Sequence, residues 1–405
     1  MYELILRGGY LIDPVNGKNG FFDIAVSDDK IELVQENIIA PAVKIIDITG
    51  YIVTPGLIDC HCHIFPTIPP TEDGVYNVNA DAHMLQAGVV TAIDAGSCGW
   101  RDLPRFKEQV IDCSKVRVLA MLNIASGGMF ELKFEQDTSD FNKEVTAGMA
   151  KLYSNIVVAI KSAHYWAMKP FDDEHPPWAS VDAALDAAGM CGKPIMVDFF
   201  PYEEQRTYQQ LLLKLRKGDI HTHMYAQQFP ILDKDNNVNE FLFEARQRGV
   251  IFDLGHGAMS FWFRNAIPAF KGGFGPDTIS SDLYMKNIHG SAINLLHVMS
   301  KYLCIGMSLE ETIARVTMHP ARVFNLPDLG NLSQGGCADI AVLKLHDGNF
   351  SYTDCGNTRI DGDKKLECVM TIRAGQIVYD PSGLSMPLWE EAPDAYWSPP
   401  GVLLH

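Results

Sequence analysis

The 405-residue chain is 47% hydrophobic, 20% charged and 10% aromatic, the composition of an ordered globular protein, and its length suits one large unit plus a smaller one. A formal charge of −17 with no run of Lys or Arg excludes a phosphate-binding stripe, so nucleic acid is not an expected partner. Residues 1–8 lack the basic and long apolar segments of a signal peptide, and no window approaches the roughly 18 to 20 consecutive apolar residues of a membrane helix.

Residues 2–53 read as closely spaced short strands (3–6, 24–26, 31–34, 44–48 and 52–53), broken by Gly8-Gly9 and Asp28-Asp29. From 54 the pattern changes to apolar runs alternating with amphipathic stretches, the mark of βα repeats around a parallel sheet. Eight runs are found, at 57–60, 89–94, 116–124, 156–160, 194–197, 219–224, 250–254 and 277–281. Helices are expected at 78–87, 102–111, 138–151, 179–191, 204–216, 238–247, 260–270 and 289–302. Eight βα units predict an α/β chain with a (β/α)8 TIM barrel over 54–334. A doubly wound sheet would usually bring a Gly-rich nucleotide loop, which is absent. Residues 335–380 return to strands (340–343, 369–372, 376–379), with Ala374-Gly375 as a hairpin turn. Pairing 1–53 with 335–385 gives one small discontinuous β-sandwich domain, and 386–405 is left as a C-terminal tail.

Chemistry-bearing residues fall at the ends of these runs. In Asp59-Cys60-His61-Cys62-His63, residues i and i+2 of a strand point the same way, about 6 to 7 Å apart. His61 and His63 then face the barrel interior together, where two neutral imidazoles can share a divalent cation. On the same rule Cys60 and Cys62 face the helix layer. The bland alternative is two ordinary histidines at a sheet edge. The fourth run ends in Lys161, an inward ammonium that must pair with carboxylates, lose its proton or be converted to an anion. The sixth carries a second H-x-H, His221 and His223. The eighth delivers Asp282, which can ligate metal, act as a base or merely cap a helix. His256 sits between Gly255 and Gly257 after the seventh run, where glycines either make room for a ligand or make a turn. Placement at the ends of several strands is how barrel enzymes assemble a site. The nine cysteines (Cys60, Cys62, Cys98, Cys113, Cys191, Cys304, Cys337, Cys355 and Cys368) read as reduced thiols of a cytoplasmic protein. No G-x-S-x-G elbow supports a serine hydrolase.

These residues resemble the amidohydrolase superfamily along nearly the whole chain. The marks are V-T-P-G-L-I-D-C-H-C-H at 53–63, Lys161, T-H-M-Y at 222–225, S-S-D at 280–282, T-M-H-P-A-R at 317–322 and G-G-C-A-D-I-A at 335–341. Within it the chain is similar to the dihydroorotase-like amidohydrolase/deacetylase group, some members of which cleave acetyl esters of hydroxy acids. The resemblance implies that His61, His63 and Asp282 hold one zinc, that Lys161 bridges two metals as a CO2-derived carbamate, and that His223 holds the second. Asp282 would also take the proton from the bridging nucleophile. One departure stands out: where the family pattern has a fifth-strand histidine, this chain has Asp198. A carboxylate there is itself a zinc ligand or favours a harder metal such as Mn2+; otherwise His221 or His164 compensates, or the second site is vacant.

The expected activity is hydrolysis of an amide, cyclic amide or ester of a small molecule, since a cation pair lowers the pKa of bound water from about 15.7 to near 7 and Asp282 shuttles the proton. Tyr165, Tyr225, His256, Asn123, His221 and His164 are expected substrate contacts, each with loop packing as the rival reading. Two other functions remain: deamination of a heterocycle, against which Lys161 counts, and a non-catalytic barrel serving as an assembly protein. A homo-oligomer is expected.

Overall fold

In the computed structural model, which describes residues 1–66, 77–167, 169–202 and 204–392, the chain opens with β1 (Tyr2–Asp13), β2 (Lys18–Ser27), β3 (Lys30–Gln35), β4 (Ala42–Asp47) and β5 (Ile52–Pro55). Seven strands follow: β6 (Leu57–Cys62), β7 (Val89–Gly99), β8 (Arg117–Asn123), β9 (Val157–Ser162), β10 (Ile195–Val197), β11 (Ile220–His221) and β12 (Ile251–Phe252). β13 (Ile340–Thr353), β14 (Arg359–Arg373) and β15 (Gln376–Tyr379) come last. The expected tail lies outside the described residues beyond 392.

The two ends of the chain share one sheet, ordered β15-β14-β13-β5-β1-β2-β3, with β4 beside β1. The join is antiparallel pairing of β13 with β5, Val342 opposite Val53 and Ile340 opposite Pro55. Alternation explains it: Leu4, Leu6, Leu11, Ile24 and Val26 pack on one face with Ile340, Val342, Met370 and Ile372, while Ile5 turns to the other face with Ala25 and Ile38. β13 and β14 run well beyond the expected apolar cores: most of residues 344–353 are polar and exposed, with Leu345, Phe350 and Tyr352 on the core side, and the antiparallel ladder continues to Thr353 opposite Arg359. The Ala374-Gly375 turn has positive φ at both positions (48° and 76°), the geometry of a tight hairpin turn that matches strand twist.

The second sheet is parallel, ordered β6 to β12 in sequence. The eighth apolar run makes no regular strand. Segment 278–283 instead bridges both edges, Thr278 to Asp253 beside β12 and Leu283 to Cys62 in β6. Its backbone is diverted into other bonds: Asp282 N–H donates to His61 O (2.7 Å) and Ser281 N–H to the Asp59 carboxylate (3.1 Å). Helices follow most strands, generally shorter than expected because capping residues set their starts. Thr207 closes a capping box before Tyr208–Lys214, and the Asn294 side chain caps Leu295–Ile305.

Two apolar clusters sandwich the parallel strands. The outer one packs the sheet against the helices. The inner one fills the middle with Cys60, Ile93, Leu119, Met121, Val158, Met196 and Ile220, and forms the floor beneath the strand ends. Arg117 of β8 joins the two sheets, its guanidinium 2.6 Å from Asp339. Asp339 also accepts from Ala374 N–H.

Candidate metal centre and pocket

At the end of β6, His61 and His63 face one another with ring centroids 5.8 Å apart. Asp282 Oδ1 lies 3.6 Å from His61 Nε2 and 3.0 Å from His63 Nε2. Potential ligand atoms of the three residues all lie within 4.8 Å of one another. Strict alternation does not hold here. The β6–β7 register shifts between Asp59 and Cys62, so Cys60 turns into the inner cluster and donates to Asp253 (3.6 Å), while Cys62 donates to Ile93 O on the outer side (3.4 Å). The expectation that both cysteines face the helices is corrected for Cys60.

Each imidazole is oriented from behind. Thr222 gives its one hydroxyl proton to Asp253 (2.7 Å), so at 2.9 Å from His61 Nδ1 it accepts. His223 Nδ1 lies 2.7 Å from Gly255 O, which only accepts. His63 Nδ1 meets Ser97 Oγ at 2.7 Å. Nε2 of His61 and His223 therefore carries a lone pair, the arrangement of metal-binding histidines. Asp282 Oδ1 is buried and faces the Nε2 atoms of both His61 and His63. The His61 Nε2 lone pair and the Asp282 carboxylate thus face one another as acceptors, an arrangement that a cation between them would satisfy. A proton is disfavoured: burial, then the Lys161 ammonium, pushes His61 well below its ordinary pKa. Burial pushes the Asp282 carboxyl up, and His61, His63 and His223 more than offset it, leaving it below the usual range. This donor set fits a divalent ion.

A second group adjoins the first. Asp198 Oδ2, just past β10, is 3.6 Å from His223 Nε2 and 3.3 Å from His164 Nε2. Burial alone would raise the Asp198 carboxyl, but His223, His164 and Lys161 hold it below its ordinary value. Glu135 holds His164 from behind through Nδ1 (2.8 Å). Burial disfavours the His164 imidazolium, yet Glu135 and Asp198 raise its pKa to about 9. Between the groups lies Lys161, 1% exposed. Its path depends on Gly96, where a Cβ would sit 2.5 Å from Lys161 Cγ. Burial lowers the Lys161 pKa against the pull of Asp198, Asp282, Asp253 and Glu135.

The backbone is strained where the site is made. His164, His223 and Asp282 all have positive φ (52°, 59° and 47°), a conformation that costs non-glycine residues about 1–3 kcal/mol and gathers at functional sites. The flanking glycines have a specific purpose. A Cβ at Gly257 would meet Asp282 Oδ2 at 2.5 Å, and one at Gly255 would meet Thr222 Oγ1 at 2.3 Å. They make room for site side chains.

His61, His63, Lys161, His164, Asp198, His223 and Asp282 all line one cavity of about 670 Å³. Five expected contacts are placed elsewhere. His221 packs among Tyr208, Phe229 and Phe252 with neither ring nitrogen hydrogen-bonded among the described residues. Burial takes its pKa to about 3. It points outward from β11, and His223 reaches the pocket only because the strand ends and φ turns positive. His256 is buried, held by Lys301 Nζ (2.8 Å) and stacked on Phe261. Tyr225 donates to Phe274 O (2.6 Å), Tyr165 to Pro176 O (3.1 Å). Asn123 sits behind the wall, bonded to Gly96 O and Glu135 (3.0 Å each). Residues not foreseen in the sequence are Ser97, Glu135 and an apolar rim of Phe65, Met129, Phe130, Leu132 and Met259. Asp253, interrupting the apolar run 250–254, was the available signal for a buried carboxylate behind the site.

Comparison with known proteins gives a consistent picture. A family model described as "Amidohydrolase family" matches residues 303–379. A protein named deacetylase from Enterococcus faecalis is 28% identical over 384 residues, covering 94% of this chain and 99% of that one. Another from Brucella anthropi is 29% identical over 82% of this chain and 81% of its own length. Among solved structures, an adenine deaminase superposes with a TM-score of 0.84 at 27% identity, covering 94% of this chain and 100% of that one. A dihydroorotase does so at 0.77 and 26%, covering 93% and 99%.

Proposed function

From the premise that the chain belongs to the amidohydrolase superfamily and is a metal-dependent hydrolase, we propose that it is a deacetylase-like enzyme cleaving an amide, cyclic amide or ester of a small molecule. The observation that carries this is the convergence of the His61 lone pair, the His63 ring and the buried Asp282 carboxylate on one point. The proposed ligands are His61, His63 and Asp282 for one metal, and Asp198 and His223 for another, with Lys161 between them as a carbamate. Zinc suits the imidazoles and Mn2+ is the alternative where Asp198 adds a carboxylate. Carboxylation of the neutral Lys161 amine by CO2 forms an N–C bond, releases one proton and leaves an anionic carbamate, which would supply oxygen ligands to both metals. In the same reading the parallel strands and segment 278–283 close a (β/α)8 barrel over 54–334, and 1–53 with 335–385 make a β-sandwich-like domain.

A divalent cation held by these residues would supply Lewis acidity, lowering the pKa of a water and polarising a carbonyl. The chain's own residues do the rest. Asp282, kept ionised, accepts the proton of the attacking water and returns it to the leaving nitrogen or oxygen as the carbonyl carbon exchanges that atom for the water oxygen. Ser97, Thr222 and Gly255 O hold the three imidazoles in register, which keeps the reacting geometry fixed before substrate arrives. The reading extends to a cytoplasmic homo-oligomer. Nine unpaired thiols are in keeping with a reducing compartment.

The test is hydrolysis of an N-acetyl, cyclic amide and acetyl ester panel by metal-loaded protein, with Asp282→Asn beside it. Turnover of a member of the panel, lost with the variant, supports the reading. A likeness to an adenine deaminase favours a second reading, and ammonia release from aminated heterocycles with no hydrolysis of the panel would put deamination first.

A further inference from the structure

Asp253, immediately after β12, is completely buried and lines no part of the pocket. Its carboxylate accepts from Thr222 Oγ1 (2.7 Å), Thr278 Oγ1 (2.7 Å), Ser280 Oγ (2.8 and 2.9 Å) and Cys60 Sγ (3.6 Å), with His61 Nδ1 at 3.3 Å. These donors come from three segments, and each segment carries a proposed ligand: His61 itself, Thr222 next to His223, and Ser280 two residues before Asp282. An ionised carboxylate only accepts. Every proton around it is therefore directed inward, and the Thr222 hydroxyl, having given its proton away, can only accept from His61 Nδ1.

We propose that Asp253 is the positioning residue of the metal centre: it fixes the His61 tautomer through Thr222 and spaces the His61, His223 and Asp282 segments, and so sets the metal affinity. The proposal rests on the metal reading above and adds a residue that touches neither metal nor substrate. In Asp253→Asn the side chain keeps its shape but turns one acceptor into a donor. Thr222 then turns its proton toward His61 Nδ1, and the ring offers an N–H at Nε2 where a lone pair is needed.

The test is cobalt(II) binding by the full-length protein, read by competition with a chromophoric chelator and by the ligand-field absorption bands. Asp253→Asn is expected to weaken cobalt binding by about 10- to 100-fold, the effect typical of partners behind metal ligands, and to shift the bands. Thr222→Val, which removes only the relay hydroxyl, is expected to do the same, Thr222→Ser to restore wild-type affinity, and Thr278→Val, whose hydroxyl contacts no proposed ligand, to leave the bands unchanged. Should Asp253→Asn fail to fold, the three threonine variants decide alone. Wild-type affinity and bands in Thr222→Val overturn the proposal while leaving the metal reading intact. A wild-type protein that takes up no cobalt overturns both.

Discussion

Gly257→Ala separates backbone strain from site geometry. Gly257 has φ +58°, and a Cβ added there would sit 2.5 Å from Asp282 Oδ2. The conformation alone costs a non-glycine residue about 1–2 kcal/mol, which should appear as lost stability. The contact is a second, separate cost: reaching ordinary van der Waals separation moves the carboxylate by nearly an ångström. A displacement of that size from a reacting geometry costs on the order of 10²-fold in rate, or about 2.7 kcal/mol of barrier. Gly17→Ala is the control, since Gly17 has φ +61° and nothing within 4 Å of its added Cβ. Chemical denaturation of both variants and kcat/KM on any ester or amide the wild type turns over complete the assay. Both should lose similar stability, and only Gly257→Ala should lose activity. A fully active Gly257→Ala would refute the placement of Asp282 as a reacting group.

Lys161→Met should destabilise the metal-free protein, because it takes away the cation that faces the Asp198, Asp282, Asp253 and Glu135 carboxylates, and removing one partner of a buried charged group costs about 3–5 kcal/mol. It should also bind one metal fewer; thermal unfolding and elemental analysis read the two effects. Lys301 is buried, which lowers its pKa to about 7, below the unfolded value near 10.4. Between those values the unfolded chain binds a proton that the folded chain lacks, so this group's contribution to stability rises with pH. Wild type should therefore gain on Lys301→Met by up to about 1.4 kcal/mol per pH unit between roughly pH 7 and 10, as measured by urea unfolding; a pH-independent difference contradicts the assignment. Removing metal with a chelator should lower the unfolding temperature, and added zinc should restore it in a concentration-dependent way.

The sequence made the chemistry legible where residue type and strand end coincide. His61, His63, Lys161, His223 and Asp282 all line the cavity, because a parallel strand's last residues are the ones exposed to its mouth. Asp198, read as a departure from the family pattern, occupies the strand-end position expected for it. Alternation failed at two places, each with a local cause. The β6 register shift turned Cys60 inward, and the early end of β11 separated His221 from His223. The loop residues were less accessible: His164 enters the pocket through a left-handed backbone, and Glu135 arrives from a short helical turn after β8 whose sequence carries no sign of the histidine it holds. Histidines and tyrosines near strand ends were overvalued as contacts, since His256, Tyr165 and Tyr225 satisfy their polar atoms locally instead.

The most direct test of the central claim is the metal content of protein purified without chelator, measured by elemental analysis for wild type, Asp198→Ala and Asp282→Ala, with hydrolysis of the acetyl ester and amide panel on the same samples. Two metals per chain are expected in wild type and about one in each variant, with hydrolysis strongly reduced in Asp198→Ala and lost in Asp282→Ala. A wild-type protein that carries no metal, takes none up from added zinc or manganese, and still hydrolyses the panel at full rate would contradict it.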